Sequence, residues 1–81
     1  MNDLATAADL AQFYSLFLLL KDASNSEIMR ELQTQDTKYF EDIIQRLERI
    51  EKRIGKIEEL ASYRSYITTQ VSKNIGEKNG D

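Results

Sequence analysis

Apolar residues recur along this chain at spacings of three and four, which predicts helices throughout. Leu10, Phe13, Phe17 and Leu20 fall on one stripe of a first helix running from about Asp3 to Lys21. Leu16, Leu18 and Leu19 widen that stripe until little polar surface is left. Such a helix must be covered, either by another element of the chain, by a second copy or by a partner protein. Leu10, Phe13, Leu16, Phe17, Leu18, Leu19 and Leu20 are therefore the candidate partner-binding residues, with packing inside the chain as the plainer alternative. Lys21–Asn25 reads as a turn, and Ser24 followed by Glu27 has the form of a capping box. It predicts a short second helix through Ile28, Met29 and Leu32. Thr34, Asp36 and Thr37 are each candidate caps for a further helix, or the helix runs straight through.

From about Asp36 onward the pattern predicts one long helix with a heptad repeat. With Phe40 at position a, Ile43 falls at d, Leu47 at a, Ile50 at d, Ile54 at a and Ile57 at d, and Ala61 opens the next heptad. An apolar seam of this kind cannot be buried by a lone helix. Leu at a with Ile at d, and then Ile at both, shifts preference from two strands toward three or four. Arg46 and Arg53 fall at g, and Glu51 and Glu58 at e, so a parallel coil faces Arg46 with Glu51 and Arg53 with Glu58. Each such surface pair contributes only about 0–1 kcal/mol, but the repeat discriminates against antiparallel pairing. Gly55 at an exposed b position should cost such a coil about 1 kcal/mol relative to Ala, and nothing in the sequence explains it. Residues beyond Ala61, through Ile67, Val71 and Ile75, are rich in Ser, Thr, Gln and Asn and are expected to fray.

The stretches Arg46-Leu47-Glu48-Arg49-Ile50-Glu51 and Arg53-Ile54-Gly55-Lys56-Ile57-Glu58 both resemble a trimer-specifying coiled-coil motif, and they lie one heptad apart. That resemblance implies a parallel homotrimer. The expected fold is all-α, with an N-terminal apolar helical hairpin over 1–35, a coiled-coil helix over 36–75 and a disordered tail over 76–81. A second resemblance covers residues 18–32. There Ser24, Asn25, Glu27, Ile28 and Leu32 look like the supporting helix of the helix-turn-helix in LuxR-type regulators. In that family the following helix reads the major groove. Here it would begin near Asp36 and present Asp36, Thr37, Lys38, Glu41 and Asp42, a net acidic surface poorly suited to phosphate, and Gln33 stands where the family has a turn glycine.

Composition narrows the function classes. The chain has 81 residues, no Pro, no Cys and no His, with a net charge of -3. The usual zinc ligands and disulfide staples are therefore missing, and a chain this short gains stability from association. The mild acidity argues against general attraction to nucleic acid or anionic lipid. Phosphate-binding glycine loops are absent, and no His stands ready to activate a Ser or Thr. Neither a catalytic site nor a cofactor or metal site is expected. The apolar run Leu10–Leu20 is too short to span a bilayer, which takes roughly 20 residues, and the start does not fit a signal peptide. A cytoplasmic or virion-associated protein is the expectation. The functional expectation is a non-enzymatic homo-oligomeric structural, assembly or adaptor protein, whose size and layout look like small accessory proteins of bacteriophages. The alternatives are a small DNA-binding regulator and an adaptor or inhibitor gripping a host protein through its first helix.

Overall fold

A computed structural model describes the backbone of residues 3–79 and the side chains of residues 6–76. The elements are α-helices throughout: α1 (Asp3–Asn25), α2 (Glu27–Gln35), α3 (Thr37–Arg53) and α4 (Glu58–Asn79). The all-α expectation is met.

Their boundaries follow local chemistry, and several differ from expectation. α1 continues through Asn25, so Lys21–Asn25 is helix and not a turn. The cap belongs to Ser26, not Ser24. The Ser26 Oγ accepts a hydrogen bond from the Met29 N–H at 3.3 Å, and the Ser26 backbone is extended, as an N-cap requires. Asp36 caps α3 in the same way, accepting from the Tyr39 N–H at 3.3 Å, while its own N–H closes α2 onto the Leu32 carbonyl. Thr34 and Thr37 instead donate their hydroxyls to backbone carbonyls of the preceding turn.

The helix expected over 36–75 is two helices. α3 stops at Arg53, with Ile54 as its C-cap, and Gly55 follows at φ 77. That left-handed conformation strains any residue with a Cβ, and it is the usual way a helix is ended and its chain redirected. Lys52 and Arg53 lie in the last turn of α3, and Glu58 and Glu59 in the first turn of α4. Each pair sits where its charge complements the helix dipole. The chain beyond Ala61 does not fray: α4 remains helical because Leu60, Ile67 and Val71 are buried. The disordered tail expected over 76–81 is helical as far as Asn79, and residues 80–81 lie outside the described residues.

Three long-range contacts fix the directions. Arg53 at the end of α3 reaches Asp9 near the start of α1 at 2.9 Å. Arg64 on α4 reaches Glu51 on α3 at 2.9 Å, and Asn74 near the end of α4 donates to Gln33 on α2 at 2.8 Å. So α2 and α3 form one interrupted rod, bent at Asp36, that runs antiparallel to both α1 and α4. The result is a three-rod bundle of 49 × 19 × 18 Å in which every pair of helices touches. Phe13, Leu20 and Ala23 of α1, Phe40, Ile43, Ile44, Leu47 and Ile50 of α3, and Leu60, Ile67 and Val71 of α4 build one continuous core. The units expected at 1–35 and 36–75 both contribute to it. Each large side chain so buried contributes about 1.5–3 kcal/mol.

A candidate protein-contact surface

The seam residues expected between copies lie mostly inside one chain. Phe40 and Leu47 are fully buried, and Ile43 and Ile50 almost so, against α1 and α4 of the same chain. Ile54 is half-buried and Ile57, beyond the Gly55 bend, is 39% exposed. The expected interface charges are also redistributed. Glu51 is buried and held by Arg64, with the Arg64 Nε–H donating to Glu51 Oε2. Arg53 is held by Asp9, Glu58 opens α4, and Arg46 lies exposed on α3. A parallel trimer through this edge would require α1 and α4 to leave it.

The first helix divides in a similar way. Phe13 and Leu20 are core, and Leu10, Leu16 and Phe17 pack half-buried against it. Leu18 and Leu19 are exposed at 52% and 39%. Of the seven residues marked on α1 as a partner surface, these two remain on the outside.

Two polar layers interrupt the core. The Glu51–Arg64 pair is one. The other is Gln33, fully buried, with its Oε1 accepting from Asn74 while its Nε2 finds no hydrogen-bond partner; the buried Ser24 Oγ has none either. An aromatic group stands where α1 meets α4: the rings of Tyr14 and Phe17 lie 6.2 and 5.2 Å from that of Tyr63. The Tyr63 hydroxyl donates to the Glu59 carboxylate at 2.8 Å. That hydrogen bond, and then the carboxylate's charge, raise the phenol's pKa above its ordinary value.

The α2–α3 rod carries a second, exposed stripe beside the heptad seam. Ile28 is 81% exposed, Leu32 39% and Tyr39 48%. Continuing along α3 at helical spacing come Asp42, Arg46, Arg49 and Arg53, all exposed. The three arginines border a shallow groove of about 230 Å³ that Gln12 and Ile50 complete. Apolar positions at 28, 32 and 39 were visible as spacing, and the Arg run was visible as composition. Their continuity became visible only once Phe40, Ile43 and Leu47 had claimed the neighbouring face.

The stretch that looks like a LuxR-type supporting helix maps onto the end of α1, the Ser26 cap and α2. Among the described residues no group of three or more His, Cys, Asp or Glu side chains gathers to hold a metal ion, and no helix is long and apolar enough to cross a membrane. No family model, curated protein or solved structure matches this chain.

Proposed function

We propose that this protein is a non-enzymatic assembly or adaptor module that works by protein–protein contact through the outward faces of α1, α2 and the first half of α3. One observation carries this reading. The heptad seam is spent on the chain's own core, yet Leu18, Leu19, Ile28 and Leu32 stay on the surface of the α1–α2 end. Single exposed apolar residues are ordinary on a soluble protein; several of them on two helices joined at Ser26 mark a contact surface. α1 and α2 are antiparallel about that one-residue link, so Leu19 and Leu32 lie at nearly the same level, one residue apart by count. The bundle supplies a rigid platform for the surface, because each helix is anchored by core residues on its other side.

Leu18→Asp and Leu19→Asp test the reading. Both variants should keep the circular dichroism and thermal midpoint of the parent protein. They should lose partners that cross-link to the parent protein in its native cells and bind it again after purification. Variants that lose helicity would show the two leucines to be core, and unchanged binding would place the contact elsewhere.

The two in-register trimer-like motifs favour a second reading, a homotrimer formed by an opened chain in which α4 releases Glu51. Ile54→Lys should abolish a helical trimer if that state exists, and should leave a monomeric bundle monomeric.

A further inference from the structure

Arg46, Arg49 and Arg53 lie along the side of α3 that borders α1, where they line the shallow groove of about 230 Å³ with Gln12 and Ile50. The neighbours of Arg49 at helical spacing are Gln45, Arg46, Lys52 and Arg53, so no acid on its own helix faces it. Like charges at that spacing repel one another, and a bound anion would relieve them. The acids interleaved in the sequence lie elsewhere. Glu51 is buried against Arg64, and Glu48 falls about 100° round the helix from Arg49. Across the groove stands Asp9, which accepts from Arg53 at 2.9 Å. Arg46 and Arg49 are exposed and make no ion pair among the described residues.

We propose that this α1–α3 groove takes an acidic segment of a partner protein, with its carboxylates on Arg46, Arg49 and Arg53. It rests on the reading of the protein as an adaptor, and it states the chemistry of what is bound. A guanidinium matches a carboxylate with two parallel hydrogen bonds, and Arg53 keeps donors to spare beyond the one given to Asp9. Apolar surface continues the groove. Leu19 lies two turns on from Gln12 along α1, and Tyr39 lies two turns back from Arg46 along α3. The two helices are antiparallel, so both continuations run the same way, and the two residues are 39% and 48% exposed. Asp22 and Asp42 stand beside that end. The partner's acids therefore belong over the arginines and its apolar side chains over Leu19 and Tyr39.

Other anions fit this place less well. From Arg46 to Arg53 the row covers roughly 10 Å of helix, whereas duplex DNA carries a negative charge about every 1.7 Å along its whole length. On a molecule 49 Å long with a net charge of -3, the rest of a duplex would lie against Asp22, Asp42 and other acids. A free phosphate would sit in an open groove beside the middle of a helix, where the backbone N–H groups are already bonded to their own carbonyls.

Fluorescence anisotropy with a labelled peptide of repeated Glu-Glu-Leu-Leu tests the proposal, with circular dichroism as a check on folding. The parent protein should bind this peptide and not its Lys-Lys-Leu-Leu counterpart. Arg46→Glu and Arg49→Glu should each weaken binding by about tenfold or more, and Leu19→Asp should weaken it as well. Lys73→Glu makes the same change of charge at an exposed position on α4 and should alter binding by less than about threefold. Arg49→Gln should weaken binding too, and it decides the matter if a glutamate variant fails to fold. A parent protein that ignores the acidic peptide at low salt would overturn the proposal, as would an equal loss with Lys73→Glu. So would inorganic phosphate or duplex DNA that binds more tightly than the peptide and displaces it. The adaptor reading would outlive each of those results, because Leu18→Asp and the cellular partners decide it, and Leu18 lies about 100° round α1 from Leu19 and off this groove.

Discussion

Glu51 brings a carboxylate into the core, and Arg64 answers it from α4. A buried pair of this kind adds little net stability, but removing one partner strands the other. Arg64→Leu should destabilise by about 2–3 kcal/mol, moderated by the partial exposure of the arginine, whereas Glu51→Leu with Arg64→Leu should fall within about 1 kcal/mol of the parent. Urea midpoints for the four proteins of the cycle would check this. Tyr63 makes a pH prediction. Its folded pKa is raised, so the native state holds the phenolic proton more tightly than the unfolded chain does. The resulting contribution is complete below the ordinary value of 10.0 and is lost as pH rises through the raised folded value. Thermal midpoints measured from about pH 9 to 11 should therefore fall less steeply for Tyr63→Phe than for the parent protein.

At the scale of the element, α3 and α4 show what a heptad repeat does and does not specify. The frame at Phe40, Ile43, Leu47 and Ile50 marks a face that is buried, as its spacing required. Spacing carries no information about which helix covers that face, so a sister chain and α4 were equally compatible with it. The end of α3 was readable from other signals. Lys52 and Arg53, then Gly55, then Glu58 and Glu59 form a helix stop followed by a helix start, and the heptad frame ran across it. α4 was hidden for a different reason. Leu60, Ile67 and Val71 are set among Ser, Thr and Gln, which dilute its apolar signal. The frame treats Leu47 and Ile57 as equal core positions, and the fold does not. Leu47→Ala should cost about 2–5 kcal/mol and Ile57→Ala less than about 1 kcal/mol, measured by chemical denaturation.

For the whole molecule, the all-α class and the candidate surface on α1 could be read in part from the residues. Leu18 and Leu19 stay outside because α1 packs against two neighbouring rods, α2–α3 and α4, and two rods cannot cover a helix that is apolar nearly all round. The α2–α3 stripe could not be read, because its meaning depends on which face of that rod the core takes. Gly55 ties these scales together. In an uninterrupted coiled-coil helix the glycine is a defect, and Gly55→Ala would stabilise by about 1 kcal/mol. In the folded-back chain it holds φ 77 with open space around it, so the same change brings backbone strain without a clash and should destabilise by about 1–2 kcal/mol. The thermal midpoint of Gly55→Ala against the parent protein tests most directly whether the heptad edge is covered by its own chain. A lower midpoint is the result the fold predicts, and a higher one would contradict it.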